Sequence, residues 1–254
     1  MNATGPARRT SPALTVTAVV PVLNEADNLR WLLPRLTGVD EIVVVDGQSS
    51  DGSAEVVAAL RPDATIISQP PRGKGAALQA GFAAATGEVI VMLDADGSMD
   101  PAEIGSFVAL VERGFDFVKG SRYACGGGSR DLTLVRRTGN RWLTALANAL
   151  YRTHWSDLCY GYVALRRSAV PRLALRSTGF EIETEMCVNA VTTGLRIAEV
   201  ASFEGDRLFG ESHLNTWRDG WRVLRTMVGA RVRPVRAAAE PVAAPERVAA
   251  GLAA

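Results

Sequence analysis

Short apolar runs alternate with stretches of helical periodicity throughout the first half of the chain. The apolar runs are rich in β-branched residues and almost continuous, as strands covered on both faces tend to be; they occupy residues 14–20, 41–46, 64–68, 89–93 and 115–119. The helical patterns lie near residues 25–36, 52–60, 74–86 and 101–113. This alternation predicts an α/β fold, with a Rossmann-like, mainly parallel sheet and helices on both of its faces.

The second half of the chain continues the pattern less regularly. Gly126, Gly127 and Gly128 mark a flexible loop, and the following residues predict helices near 138–151 and 181–194 and strands near 160–165 and 196–203. We expect these elements to extend the same sheet, so that residues 14–233 form one domain. The polar residues 1–13 and the Ala/Pro-rich tail 234–254 are predicted to be disordered.

Composition excludes several classes of protein. The chain has 254 residues with a net charge of +1, which gives no gross sign of a nucleic-acid partner. Its three cysteines, Cys125, Cys159 and Cys187, are far apart and odd in number, which favours reduced thiols in the cytoplasm. The N-terminus lacks the apolar core of a signal peptide, and no segment holds about 20 successive apolar residues, so we expect no membrane span.

The apolar run at 89–93 ends in two carboxylates, Asp94 and Asp96. Alternate residues of an extended segment point the same way, so both carboxylates can face one ligand. Hard oxygen ligands suit Mg²⁺ or Mn²⁺ bridged to substrate phosphates, and the Ser98 hydroxyl could join them. An aspartate-rich turn that caps the next helix is the alternative, and it fits Asp100 better than Asp94.

Two earlier predicted strands also end in polar side chains. The first runs into Asn24 and Glu25, and the second runs into Asp46. Because ligands of open α/β sheets bind beyond the carboxyl ends of the strands, this edge is predicted to be a ligand site. The Gly-rich turn that carries Arg72 and Lys74 opens a helix and could attract phosphate; a tight turn with solvated cations fits it equally well.

The motifs PVLNEADNL, VVDGQSSDGS, RGKGAALQAGF, MLDADGSMDP and GSR, in this order, resemble family 2 glycosyltransferases with the GT-A fold. The branch that the chain most resembles is the dolichyl-phosphate mannose synthase type, with related polyprenyl-phosphate sugar transferases. The resemblance runs from about residue 15 to about residue 215. It implies a nucleotide-sugar half at about 14–120 and an acceptor half at about 121–233.

The resemblance also implies roles for individual residues. The nucleotide pocket would be lined by Pro21, Asn24, Glu25 and Asp46, with Lys74 close by. Asp94 and Asp96 would hold the metal on the diphosphate, and Asp96 would thereby be essential for catalysis. The chain has Gly47 where the family often has a second acidic residue.

Arginines in the second half are the predicted contacts of the acceptor. The resembled branch uses arginines near Arg122 and Arg207 for a lipid phosphate, whose oxygens match the planar guanidinium fork. Arg136 and Arg137 follow the glycine loop, and they are weaker candidates for this contact than Arg122 and Arg207. The branch's late motif reads approximately DRxxGxSK, and this chain has His213 in place of the lysine.

Acidic residues of the second half are predicted to assist the reaction. Asp157 and Glu185 match acidic positions of the resembled branch, and either could act as a base or orient the acceptor. Glu181 and Glu183 stand at a helix start, where negative charges are favoured by the helix dipole alone.

The last informative segment, residues 215–233, reads as a basic amphipathic helix. One stripe holds Trp217, Trp221, Leu224 and Val228, and three basic residues lie mainly off it, Arg218, Arg222 and Arg225. Such a helix suits an anionic membrane surface. A terminal helix docked on the domain, with its arginines in water, is favoured equally.

These features together predict a metal-dependent hexosyltransferase that moves a sugar, with inversion, from a nucleotide-diphosphate sugar to a polyprenyl phosphate. A soluble hydroxyl acceptor is the alternative. A nucleotidyltransferase is a less favoured alternative, because such an enzyme would carry a Gly-rich, arginine-containing loop after the first strand, where this chain has PVLNEADNL. A non-catalytic sugar-nucleotide-binding protein is a further alternative, which Gly47 and His213 would fit. The expected location is the cytoplasm, with peripheral contact to the cytoplasmic membrane face if the acceptor is a lipid.

Overall fold

The structure, a computed structural model, describes residues 13–211, 215–232 and 246–248, the last three by their backbone alone. Its strands are β1 Val16–Val22, β2 Glu41–Asp46, β3 Thr65–Ser68, β4 Val89–Met92, β5 Phe117–Ser121, β6 Gly128–Ser129, β7 Val163–Arg166, β8 Ile197–Ala201, β9 Phe203–Glu204 and β10 Glu246–Val248. Its α-helices are α1 Ala26–Leu32, α2 Ser53–Leu60, α3 Lys74–Ala84, α4 Ile104–Glu112, α5 Leu134–Tyr151, α6 Val170–Leu173, α7 Ile182–Thr192 and α8 Thr216–Val232. Short 3₁₀ turns lie at Leu33–Arg35, Pro101–Glu103 and Arg167–Ala169.

One mixed sheet runs through both halves of the chain, with the strand order β10-β8-β5-β7-β4-β1-β2-β3. Strand β7 is antiparallel to its neighbours β4 and β5, and the other pairings in this sheet are parallel. Because β7 belongs to the second half and lies between two strands of the first half, neither half completes the sheet alone. The predicted α/β fold with a mainly parallel sheet is therefore confirmed.

Helices cover both faces of the sheet, and each face has its own apolar core. Residues of α1, α2 and α4 pack on one face together with Val20, and residues of α3, α5, α7 and α8 pack on the other face together with Val19. Successive residues of a strand point to opposite faces, so both must be apolar when both faces are covered. No helix of the described residues has the length and apolar character needed to cross a membrane.

The predicted disordered termini fall largely outside the described residues. These exclude residues 1–12, 212–214, 233–245 and 249–254, and with them Ser212 and His213. Residues 246–248 differ from the predicted disorder, because they pair in parallel with β8 and form the edge strand β10. Helix α5 begins at Leu134, earlier than predicted, because the Thr133 hydroxyl accepts a hydrogen bond from the Arg136 N–H and caps the helix.

A buried ion-pair cluster ties β5 to the second half. Nε and Nη2 of Arg122 donate to the two carboxylate oxygens of Asp157 at 2.7 and 2.9 Å, and Nη1 donates to both oxygens of Glu204 at 3.1 and 3.0 Å. Asn140 of α5 donates to Asp157 at 2.8 Å, and the guanidinium lies over the Tyr160 ring, 4.8 Å from its centroid. Burial alone would raise the pKa of Asp157, but Arg122 holds that pKa below its ordinary value.

This cluster predicts a large loss of stability for Asp157→Asn. The change leaves the buried Arg122 with one carboxylate partner, so we expect the free energy of unfolding to fall by about 3–5 kcal/mol in urea titrations near pH 7. Because the folded pKa of Asp157 is lowered, its stabilising effect is complete above the ordinary value of 3.8 and is lost on further acidification. The difference between the two proteins should therefore shrink in acid.

The matched control is Asp63→Asn, which removes the partner of Arg61 in a solvent-exposed ion pair. We expect this change to leave the urea midpoint nearly unchanged, since exposed ion pairs contribute little. Equal effects of the two substitutions would contradict a structural role for the Arg122 cluster.

Candidate active site

The carboxyl end of β4 places Asp94 and Asp96 in the wall of a cleft of about 1150 Å³. The first half of the chain contributes Pro21, Glu25 and Lys74 to this wall. From the second half come Glu183, Arg207 and residues of α5 and α8. The cleft therefore lies at the sheet edge where the sequence predicted a ligand site.

Lys74, the first residue of α3, bridges two carboxylates in the cleft. Its Nζ lies 2.6 Å from Oδ1 of Asp94 and 2.7 Å from Oε1 of Glu183. Burial lowers the pKa of Lys74, but the two carboxylates raise that pKa above its ordinary value, so the side chain stays a cation. Burial also raises the pKa of Asp94, and Lys74 opposes this effect. Burial prevails for Asp94, whose pKa is raised to about 6, and the ammonium holds the Asp94 and Glu183 side chains in place.

Asp96 is oriented by its own turn. Oδ1 accepts hydrogen bonds from the N–H and the hydroxyl of Ser98 at 3.0 and 2.7 Å. Gly97 has a φ of 77°, which this tight turn requires and which other residues rarely adopt. Oδ2 faces Arg207, whose Nη2 lies 3.6 Å away. Ser98, which was predicted as a metal ligand, thus uses its hydroxyl hydrogen to orient Asp96.

Arg207 fastens a loop of the second half over the first half. Its Nη1 and Nη2 donate to the two oxygens of Glu25 at 3.0 and 2.9 Å. The next residue, Leu208, donates its N–H to the carbonyl oxygen of Asp96 at 3.1 Å. Arg207 therefore stands beside both Glu25 and Asp96.

Two residues predicted to line the nucleotide pocket instead brace the loops that follow β1 and β2. The Asp46 carboxylate is buried and accepts from the Ser49 hydroxyl at 2.6 Å. The Asn24 side chain accepts from the Ser50 N–H at 2.9 Å. Gly47 lines the cleft at this point, together with Pro21 and Glu25.

The residues predicted to act on the acceptor occupy different places. Arg122 borders the cleft, but each of its guanidinium nitrogens donates to Asp157 or Glu204, which differs from the predicted contact with a phosphate. Asp157 is fully buried in the same cluster, so it cannot reach an acceptor in this conformation. The Glu185 carboxylate accepts hydrogen bonds from the backbone N–H groups of residues 176 and 177 at 3.0 and 2.8 Å, and thereby holds the loop before α7.

Glu183 is a cleft carboxylate that the sequence did not predict as a site residue. Glu181, Glu183 and Glu185 alternate at the start of α7, and only Glu183 lines the cleft, where it contacts Lys74. Glu181 lies 3.3 Å from Arg222 of α8. No sequence signal separates the three residues, because the packing of α7 decides which of them faces inward.

The wall formed by α5, α8 and Phe180, which precedes α7, is largely apolar. Its apolar side chains are Leu134, Val135, Trp142, Leu143, Phe180, Trp217, Trp221, Val223 and Leu224. Asp94, Asp96, Lys74 and Arg207 lie at the end of β4, and a few charged side chains also line the α5 and α8 side, namely Asp131, Arg136 and Asp219. One cleft thus combines a polar end suited to phosphates with an apolar wall.

The match to the family described as glycosyl transferase family 2 covers residues 17–173. A Mycobacterium tuberculosis protein named as an uncharacterised glycosyltransferase is 33% identical over 202 residues, which are 79% of this chain and 89% of that protein. A protein of Mycobacterium bovis with the same kind of name matches to the same extent.

Solved structures share the fold at lower identity. Glucosyl-3-phosphoglycerate synthase from Mycobacterium tuberculosis, in complex with Mn²⁺, UDP and glucosyl-3-phosphoglycerate, has a TM-score of 0.67 and 24% identity, over 85% of this chain and 79% of that chain. The same enzyme with Mn²⁺, UDP-glucose and phosphoglyceric acid has a TM-score of 0.62 and 22% identity, over 86% and 80% of the chains. These likenesses show the GT-A fold, and the family match spans more than half of the sequence: the chain belongs to glycosyl transferase family 2.

Proposed function

We propose that the protein transfers a sugar, with inversion, from a nucleotide-diphosphate sugar to an anionic acceptor. The observation that carries this proposal is the pair Asp94 and Asp96 at the carboxyl end of β4, in a cleft that both halves of the chain line. Membership of glycosyl transferase family 2 supports the reaction class. The two cations beside these carboxylates, Lys74 next to Asp94 and Arg207 next to Asp96, support a site that receives a diphosphate.

The two carboxylates fit a divalent ion that arrives with the nucleotide. Their oxygens are the hard ligands that Mg²⁺ and Mn²⁺ prefer. In the part of the chain that the structure describes, no group of three or more His, Cys, Asp or Glu side chains could hold a metal. Asp94 and Asp96 would therefore share the ion with diphosphate oxygens, as the Mn²⁺ and UDP in glucosyl-3-phosphoglycerate synthase suggest. When bound, the ion would neutralise charge on the leaving nucleoside diphosphate.

The remaining cleft residues have roles that follow from their places. Lys74 holds Asp94 ready to bind and adds positive charge where the diphosphate would lie. Arg207 holds Asp96 in the same way and adds positive charge beside it. It also fixes Glu25 on the nucleotide side. A hydroxyl acceptor needs a base, and we assign this role to Glu183, a carboxylate of the cleft wall that contacts Lys74. A phosphate acceptor is already an anion and needs no base.

Each of two acceptor classes is favoured by one observation. The apolar wall formed by α5, α8 and Phe180 favours a polyprenyl phosphate, whose hydrocarbon chain could lie along it. The structures of glucosyl-3-phosphoglycerate synthase, with phosphoglyceric acid or its glucosylated product, favour a soluble phosphorylated acceptor.

A radiolabelled panel of nucleotide-diphosphate sugars would separate the two classes. We expect label to move into the organic phase when polyprenyl phosphate is supplied in detergent, because the apolar wall accommodates the lipid chain. Label that enters only a water-soluble product, with phosphoglyceric acid as the acceptor, would assign the soluble class instead.

We expect Asp96→Asn to lower turnover at least about 100-fold, because the amide removes a negatively charged ligand of the metal. Calorimetry with UDP and Mn²⁺ should show nucleotide affinity falling to the level found in EDTA. Asp100→Asn is the matched control, since Asp100 lies in the same segment but caps the following 3₁₀ turn, which asparagine can also do. Unchanged Mn²⁺-dependent nucleotide binding by the Asp96 variant would refute the metal assignment.

Lys74→Met should make the stability of the protein depend on metal. Without the ammonium, Asp94 and Glu183 lose their shared partner, so we expect a loss of about 3–5 kcal/mol in the absence of divalent ions. Thermal denaturation should show a larger stabilisation by Mn²⁺ in the variant than in the wild type. Arg72→Met, which removes an exposed charge from the same turn, should change neither quantity appreciably. A Lys74 variant as stable as the wild type would contradict this role.

A further inference from the structure

Helix α8 exposes an apolar stripe on the side that does not pack on the domain. Its packed face carries Val223 and Met227, both buried. The exposed stripe includes Trp217, Trp221 and Val228, which stand at positions i, i+4 and i+11 on one side of the helix; the two tryptophans are 83% and 67% exposed. Large apolar side chains arranged in this way on a folded domain indicate a surface that contacts something other than water.

Helix α5 continues this apolar surface. Leu134, Val135 and Trp142 are 78%, 59% and 57% exposed. These three side chains line the same cleft as Trp217 and Trp221 of α8. The two helices thus form one apolar rim at the mouth of the cleft, here called the α5–α8 rim.

Positive charge accompanies the rim. Arg137 and Arg141 of α5 and Arg225 of α8 are exposed, and none of them forms an ion pair with a carboxylate among residues 13–211 and 215–232. Helix α5 contains no acidic residue, and the single acidic residue of α8, Asp219, is buried. The rim is therefore an apolar strip bordered by unpaired cations.

We propose that the α5–α8 rim docks the protein on an anionic lipid bilayer. Tryptophans at a polar–apolar boundary and arginines beside them match the interface and the headgroups of such a bilayer. A second copy of the chain fits less well, because a two-fold contact through this rim would bring the arginines of both copies together. Docking would hold the mouth of the cleft against the membrane. A lipid acceptor could then enter the cleft from the bilayer. This last consequence, unlike the docking itself, rests on the proposed function.

The apolar part of the rim is tested by sedimentation of the full chain with vesicles. We expect binding to vesicles of phosphatidylcholine with phosphatidylglycerol, with a blue shift of tryptophan fluorescence. The double variant Trp217→Ser, Trp221→Ser should lower the partition coefficient at least tenfold. Leu60→Ser is the matched control, because Leu60 is an exposed leucine at the end of α2, away from the rim. Melting temperatures should confirm that each variant is folded.

The charged part of the rim is tested with the triple variant Arg137→Gln, Arg141→Gln, Arg225→Gln. Each arginine near an anionic surface contributes roughly fivefold to partitioning, so we expect a loss of at least tenfold. Binding of the wild type should weaken at high salt and on vesicles of phosphatidylcholine alone. Arg113→Gln, at an exposed position after α4, should bind as the wild type does.

Two outcomes would overturn the docking proposal. One is equal vesicle binding, or equal lack of binding, by the wild type and the rim variants. The other is a concentration-dependent dimer in sedimentation velocity that the double tryptophan variant converts to monomer, since a second copy would then be the occupant. Binding of UDP with Mn²⁺ is measured separately, in the absence of lipid, and tests the proposed function. A failure of docking can therefore be distinguished from a failure of the proposed function.

Discussion

The contact of Lys74 with Asp94 and Glu183 is the interaction on which the cleft depends. It joins the start of α3, the end of β4 and the first turn of α7, and so it connects both halves of the chain at one atom. Two carboxylates in a poorly solvated cleft would otherwise repel each other and favour protonation. With the ammonium between them, both side chains are paired and fixed in position, as electrostatic preorganisation requires.

The same principle recurs along this edge of the sheet. Arg207 lies between Glu25 and Asp96, as Lys74 lies between Asp94 and Glu183. In each case a cation from one element holds carboxylates from others, so the loops that follow the strands become part of a rigid site. The cost of desolvating these charges is offset only because each is paired with good geometry. A diphosphate with a divalent ion would enter a site whose charges are already in place.

Much of this arrangement follows from local sequence, and some does not. Alternating apolar runs and helices predict the sheet, and the one-residue spacing of Asp94 and Asp96 predicts that they face a common cleft. The partners of Arg122 could not be predicted, because Asp157 and Glu204 lie 35 and 82 residues away along the chain. The inward turn of Glu183 was equally hidden, since it depends on the rotation of α7 against its neighbours.

The family match covers only part of the cleft. Its range, residues 17–173, contains Lys74, Asp94 and Asp96, whereas α7, α8 and Arg207 lie beyond it. The fold and the family therefore indicate a nucleotide-sugar donor but do not identify the acceptor. Under the proposed function, the exposed tryptophans of α5 and α8, and not the carboxylates that follow β4, are the features expected to favour a lipid acceptor over a soluble one.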